Sequence, residues 1–439
     1  MSELYSLAIR LFNTIEENFR KSFLFSIIFK IMYFFENQWI NSFFVGLYPS
    51  ADFLSFFKRS KIISNYLFSP LIVILVFTLF LLLSLSPVHE SLVINLIIAF
   101  VFFLIGSLFI PELLFRKKNP DKPSSSINVN SNNFLKFNQK DIYSIGFSLF
   151  LISIVFFVLS IASVGGIPLL KPSLRYSLKP LLTLPIFCIV PAIALIFSTY
   201  LSRYDGGELS RKQVRFRFLV LIIISSGFLL LLGYRTPVLA GLLVMIIMAY
   251  YGKVLAIWEI ILGILFSFLL IVGIGYFRSL SEYAITVNTS PFYSLQKRAD
   301  FTLHVLNLLN LISGNFGILH GSLLPSAIPT SDFGPRMIIG QLIAWRTSVT
   351  ITPTLIGPLL VDFGRVGLAI GMCIFGLILG IGHKLIKLTK DNFYIAIYGI
   401  LLAYTILGVE TGILDINILL YFLVGILIYG ANVFRVNRS

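Results

Sequence analysis

Charged residues are scarce in this chain. They make up 12% of its 439 residues, where a soluble domain carries about 25%. With 57% hydrophobic residues and a mean hydropathy of +0.93, that shortage excludes a soluble globular protein. The composition is that of a polytopic membrane protein, for which length is no guide to domain number. Cysteine is nearly absent. Cys188 and Cys373 each sit inside an apolar stretch, so neither a disulfide framework nor a thiolate metal site is expected. The four histidines, His89, His304, His320 and His383, form no His-Glu-x-x-His pattern. No Asp-x-Asp pair occurs, which disfavours a metal-dependent enzyme acting on nucleotide sugars. The expectation is no metal and no cofactor. Acidic residues are the scarcer sign, 19 against 34 Lys and Arg, for a net charge of +15. The basic residues gather in loops beside apolar segments, as the positive-inside rule requires, so the charge points to membrane topology before nucleic acid.

Long apolar runs are what the chain has most of. Before them, Leu4, Leu7, Leu11, Ile15 and Phe19 repeat at helical spacing, with charges mostly opposite, and predict an amphipathic helix on a membrane surface. The run Phe23 to Phe35 is broken by Lys30 and is shorter than the about 20 residues a bilayer needs, so it reads as interfacial. Spans are expected at 67–85, 92–115, 142–161, 181–201, 218–232, 238–250, 256–276, 366–381, 393–408 and 417–433. A polar Ser/Asn-rich linker occupies 123–133. The expected fold is an all-α polytopic membrane protein of about ten transmembrane helices, with one long extracytoplasmic loop containing short helices. Its parts are interfacial helices at 1–60, a bundle of about seven spans at 61–276, the large loop at 277–365, and about three closing spans at 366–439. Basic runs at 58–61, 116–118, 203–217, 384–390 and 435–438 fall on one side of that plan. Both termini are then cytoplasmic in a plasma-membrane protein, and the long loop faces outward. No internal repeat is visible, which counts against inverted-repeat transporters.

That orientation makes the outward cations the anomaly. Lys171, Arg175, Lys179, Arg235 and Arg278 lie at or near outer helix ends. The two lysines fit snorkelling to headgroups. The arginines fit a substrate path better, because charge held at that depth usually faces a bundle interior. Arg235 is the clearest case, in the turn Gly233-Tyr234-Arg235-Thr236-Pro237 between two short spans. A guanidinium fork matches phosphate oxygens with paired donors, so Arg175, Arg235 and Arg278 would form a phosphate or pyrophosphate clamp. Arg298, Arg336 and Arg346 in the long loop extend the candidate substrate-binding set. Four groups are candidates for a catalytic base: Glu410, Asp362, His304 and His320. Each has a plainer reading. Glu410 can be a helix-end carboxylate, and Asp362 the N-cap of the eighth span. His304 can pair with Asp300 four residues earlier on a helix. The sequence leaves the role of His320 open. Gly165-Gly166-Ile167-Pro168 and Gly314-Asn315-Phe316-Gly317 are turn signals and lack the Lys-Ser/Thr of a phosphate loop.

Several of these features occur together in a known family. They are Gly165-Gly166-Ile167-Pro168-Leu169-Leu170 followed by Arg175, the Gly233 to Pro237 turn, Arg278 opening a long outer loop, and Pro353 to Asp362-Phe363-Gly364 closing it. Over roughly residues 65–435 the chain resembles the oligosaccharide repeat-unit polymerases, the O-antigen polymerases of bacteria and their archaeal relatives. The resemblance implies a membrane-embedded, metal-independent glycosyltransferase of the multi-span, GT-C-like class. Such an enzyme joins repeat units carried on polyprenyl pyrophosphate into a surface polysaccharide on the outer face of the cytoplasmic membrane. The implied partners are the lipid-linked donor and acceptor, the bilayer, and a chain-length regulator or flippase, without nucleic acid. The family handles pyrophosphate and glycan with outer-loop arginines, and Arg175, Arg235 and Arg278 occupy matching places. It identifies no base here, so Glu410, Asp362, His304 and His320 remain candidates in that order. An O-antigen-ligase-like transferase and a flippase or exporter of lipid-linked saccharides are the competing readings.

Overall fold

The computed structural model describes residues 2–41, 67–115, 134–283, 291–329, 331, 333–343 and 350–438. The linker expected at 123–133 lies outside them. Every regular element among the described residues is helical. Among the described residues seven helices are long and apolar enough to cross a membrane: α4 (Glu90–Leu114), α5 (Gln139–Val164), α6 (Pro180–Asp205), α7 (Arg211–Leu231), α13 (Gly357–Thr389), α14 (Asn392–Thr411) and α15 (Ile416–Arg438). The protein is therefore a multi-pass membrane protein. Three shorter apolar stretches fall where further spans were expected: α3 (Leu71–Leu83), α8 (Arg235–Tyr251) and the start of α9 (Ile257–Tyr283). The N-terminus forms α1 (Ser2–Arg20) and α2 (Phe23–Ile40). The region read as one long loop contains α10 (Pro291–Ser313), α11 (Leu323–Ser326) and α12 (Pro335–Ile343).

The chain divides into two compact units, residues 1–65, 137–271 and 391–400 in the first, and residues 66–136, 272–390 and 401–439 in the second. In the first unit α6 and α8 are buried almost throughout, from Ile189 to Leu201 and from Val238 to Tyr250. A helix apolar on all sides has no face to give to a polar environment, so it takes the centre. α5 is lined with small residues: Ser144, Gly146, Ser148, Ser153 and Ser160 are all buried, and the Ser148 hydroxyl donates to the Phe12 carbonyl of the N-terminal helix. A Cβ on Gly146 would lie 3.0 Å from that of Leu195, which is how closely α5 and α6 approach. α7 opens with a capping box in which Ser210 and Gln213 satisfy each other's backbone amides. The basic cluster around it is engaged in structure. Arg211 and Arg215 donate to the Val254 carbonyl at 2.8 and 3.1 Å, and Arg215 also pairs with Glu259 at 2.9 Å. The N-terminal helices dock on this frame. Phe19 of α1 lies 5.4 Å from Phe147 of α5, while Glu36 of α2 pairs with Arg217 of α7 at 3.3 Å.

In the second unit α4 and α13 touch main chain to main chain. Gly376 and Gly380 stand four apart on α13, and side chains there would run into the carbonyls of Phe103 and Ser107. Gly106 faces the Cys373 carbonyl in return. This is the small-residue spacing by which helices approach closely in lipid, where dispersion contacts and not water expulsion drive association. At the same contact α4 widens into a π turn over Ile105–Phe109. α13 begins at Gly357, nine residues before the expected span at 366–381, because it continues through a break at Gly364 (φ 63°, ψ −152°). Asp362 is consequently inside the helix, and Ile356 holds the cap position that Asp362 was expected to fill.

The region at 277–365 does not stand apart from α13. Val305, Leu309, Leu323, Ile339, Ile351 and Val361 form one buried cluster joining α10, α11, α12 and the first turns of α13. Residues 315–320 cross the α13 break. The amide of Ile318 donates to the Val361 carbonyl (2.8 Å), and that of His320 to the Asp362 carbonyl (2.9 Å). Gly317 and Gly364 sit where these strands of backbone cross, and a Cβ on either would collide with the other segment's main chain. We expect Gly376→Leu to destabilise the protein by about 1–3 kcal/mol or more, since overpacking here meets backbone that cannot yield. The measurement is thermal unfolding in detergent. A melting temperature equal to the parent's would show that α4 and α13 do not touch at this point.

Candidate functional site

Two clusters of arginine are built, one in each unit. In the first unit, a 3₁₀ turn at Pro172–Ser177 carries Arg175, and its guanidinium lies 5.2 Å from the centre of the Tyr234 ring. Tyr234 is also edge-on to Phe187 at 5.2 Å. The Leu169 amide donates to the Leu231 carbonyl (3.1 Å), which ties the two connections together. Gly233 has φ 76°, a backbone state that favours glycine and makes the tight reversal into α8. Arg235 is the first residue of α8, so its charge adds to the positive end of the helix dipole. The fold thus brings Arg175 to the Tyr234-Arg235 turn and leaves both arginines half-buried. Lys171 and Lys179, flanking Arg175, are exposed. The cation–ring contact is worth about 0.5–1 kcal/mol at a partly exposed site, enough to orient Arg175 without neutralising it. The N-terminus of α8 and the Arg175 guanidinium beside it are groups of the kind that bind phosphate.

In the second unit, Arg298 of α10 forms an ion pair with Glu410 at the end of α14. Arg336 of α12 pairs with Asp415 at 2.6 Å. Between these pairs runs the segment before α13, where Thr354 is buried with φ 63°. A β-branched residue in that conformation is strained and is held only because its surroundings fix it. Its own hydroxyl accepts the Ile356 amide (3.3 Å), and Gly412 packs against its carbonyl, locking 352–354 to the turn after Glu410. Asp300 does not turn to His304. Its Oδ1 accepts from the Ser84 hydroxyl (2.7 Å), the Leu85 amide (2.7 Å) and the Ser86 amide (3.1 Å). The Ser84 hydroxyl first, and then these amides, hold the Asp300 carboxyl below the ordinary range, with burial opposing. His304 lies on the exposed side of α10.

Asp362 is buried, and its carboxylate accepts from the Leu323 amide (3.5 Å) and from that of Gly321. It holds the crossing segment in place. His320 is exposed in a left-handed conformation (φ 49°) on that segment. Arg278 lies on α9, with its side chain outside the described residues, and Arg346 is outside them altogether. Among the described residues no group of three or more His, Cys, Asp or Glu could hold a metal ion. One set of polar residues escaped the sequence reading: Arg365, Asn95 and Asn310. The signal was available, since Asn95 interrupts the apolar run 92–115 and Arg365 opens the run at 366–381.

The whole of both clusters lies within a region shared with other proteins. Residues 66–422, well over half of the chain, match the family described as "Putative O-antigen polymerase". The chain belongs to the O-antigen polymerase family. It is 30% identical to Uncharacterized protein MJ0419 of Methanocaldococcus jannaschii over 296 residues, which cover 67% of this chain and 78% of that protein. Uncharacterized protein MJ0420 of the same organism is 28% identical over 291 residues, 66% of each chain. No solved structure matches. The family match begins at 66, so α1 and α2 lie outside it, as the sequence resemblance also had them.

Replacing Arg298 and Glu410 singly and together should give a coupling of about 1 kcal/mol in unfolding free energy, as for other part-exposed pairs. A coupling near zero would remove Arg298 as the partner of Glu410. For Asp300 the carboxyl is depressed in the folded state, so its stabilisation is full above the unfolded value of about 3.9 and is lost as pH falls through the lower folded value. Asp300→Asn should therefore melt below the parent at pH 6, with the gap closing as the pH is taken down through 4 and below. A gap that is constant with pH would rule out the Asp300 contribution.

Proposed function

We propose that this protein polymerises lipid-linked oligosaccharide repeat units, carried on polyprenyl pyrophosphate, into a surface polysaccharide at the outer face of the cytoplasmic membrane. In this reading the chain crosses the bilayer about ten times, the seven long helices being joined by α3, α8 and the start of α9, in a GT-C-like plan with both termini cytoplasmic. The observation that carries it is the meeting of Arg175 with the Tyr234-Arg235 turn at the start of α8, inside a chain of the O-antigen polymerase family.

The chemistry follows from what the substrate lacks. A sugar on pyrophosphate already has a good leaving group. The bond from its anomeric carbon to the phosphate oxygen breaks, and a hydroxyl oxygen of the acceptor forms the new glycosidic bond. Negative charge builds on the departing pyrophosphate, and the acceptor proton must go to a base. Fixed guanidiniums stabilise the first, most strongly where water is scarce. Arg175 and Arg235 take that role. Holding donor and acceptor in one orientation supplies much of the remaining acceleration. Glu410 leads the candidates for the base, its carboxylate oriented by Arg298. Asp362 stands lower because backbone amides occupy its carboxylate, and the exposed His304 and His320 follow. Arg336 and Arg346 are assigned to the glycan. No metal and no cofactor is required by this scheme. A chain-length regulator or a flippase is the expected protein partner.

Cells lacking this chain and cells carrying Arg235→Ala should both accumulate single lipid-linked units and lose polymer, while the variant protein stays in the membrane. Normal polymer in the Arg235→Ala cells would end the clamp reading. Long polymer left on its lipid would indicate ligation, and single units trapped on the cytoplasmic face would indicate export.

A further inference from the structure

α13 carries a cation that the reaction above does not use. Arg365 follows the Gly364 break, in a helix long and apolar enough to cross a membrane. It is the first residue after that break, with 24 further residues of helix beyond it, to Thr389. Its Nε donates to Asn95 Oδ1 of α4 at 2.8 Å. Asn95 Nδ2 donates to Asn310 Oδ1 of α10 at 2.5 Å, and Asn310 Nδ2 donates to Ser91 Oγ at 2.8 Å. Asn95 and Asn310 are 3% and 7% exposed, so this row of amides is part of the packed interior. Each link has a direction, from the guanidinium outward to Ser91, and that direction fixes which way both amides face.

The row orients Arg365 and leaves its charge intact. No ion pair among the described residues includes Arg365, and its terminal nitrogens have no protein partner there. Asp362, nearest to it in sequence, gives its carboxylate to the Gly321 and Leu323 amides. An aspartate at position 95 would occupy the same volume and neutralise the guanidinium. Asparagine holds it and does not. A guanidinium kept charged in an apolar helix is costly unless an anion completes it. Where lipid tails give way to headgroups the common anion is phosphate, and the two free terminal nitrogens match its oxygens.

We propose that Arg365, positioned by Asn95 and Asn310, binds the phosphate group of a lipid. The inference shares with the proposed function only the placement of α13 across a bilayer, and it does not depend on polymerase activity. The phosphate can belong to a bulk anionic phospholipid or to a prenyl pyrophosphate. The test is binding to the purified full-length protein in neutral-lipid nanodiscs. The probes are phosphatidylglycerol and farnesyl pyrophosphate, with farnesol as the uncharged control. Arg365→Gln and Asn95→Asp should each weaken a phosphate probe about tenfold or more, the loss of a charge-assisted contact, while farnesol is unaffected. Arg365→Lys, which keeps the charge without the fork, should fall between. Asn95→Asp should melt no lower than the parent, which separates lost binding from lost folding. A loss confined to farnesyl pyrophosphate would assign the site to a prenyl-linked substrate, and a loss for both probes to lipid phosphate generally. Unchanged binding of both probes in Asn95→Asp and Arg365→Gln overturns the inference. With single units still accumulating in Arg235→Ala cells, that result would leave the polymerase reading standing.

Discussion

The second unit depends on how a broken helix satisfies its own backbone. An interruption in a helix at membrane depth frees carbonyl groups that hydrocarbon cannot accept. Here the carbonyls of Val361 and Asp362 are taken by the amides of Ile318, Leu319 and His320. The exchange needs two main chains in direct contact, and therefore a glycine on each at the crossing, Gly317 and Gly364. Once the segment is pinned, the rest follows. Val361 joins the apolar cluster under α10, α11 and α12, the Asp362 carboxylate caps the amides at 321 and 323, and α13 re-enters its axis with Arg365 facing Asn95.

Most helix positions were legible in the sequence because lipid-facing spans leave a strong apolar signal. Seven long helices and three shorter ones fall on the expected segments. Segments read by their breakers were less well placed. Gly364 looked like the point before a helix, and a helical segment does begin after it; what the sequence hid was a second segment, 357–363, ending on the same glycine. The region at 277–365 read as a loop containing short helices because its charges and prolines dilute its hydropathy. α10 is nonetheless a 23-residue helix whose polar side, Asp300, Asn307 and Asn310, is matched to the Ser84 to Asn95 stretch, a pairing no local window can contain.

The candidate site was legible in part for a similar reason. Arginines stand out against an apolar background, so Arg175 and Arg235 were singled out, and the contact of Arg175 with the Tyr234 ring needed the fold. The carboxylates were harder, because their partners decide their meaning. Glu410 and Asp362 look alike in sequence, yet one faces a guanidinium and the other faces backbone amides. Asn95 stands out as a polar break in an apolar run, but Asn310 matches no motif, and their joining in a row ending on Arg365 needed the fold.

The π turn at Ile105–Phe109 has a consequence for how α4 serves two neighbours. Before it, Ser91 and Asn95 face α10, while Asn95 and Phe103 also meet α13; within it, Gly106 and Ser107 meet α13. In a regular α-helix one added residue rotates everything beyond it by about 100°. A wider turn absorbs such an extra residue within a single loop of the helix. It therefore acts as a phase adjuster, setting Gly106 and Ser107 against α13 without turning Ser91 and Asn95 away from α10.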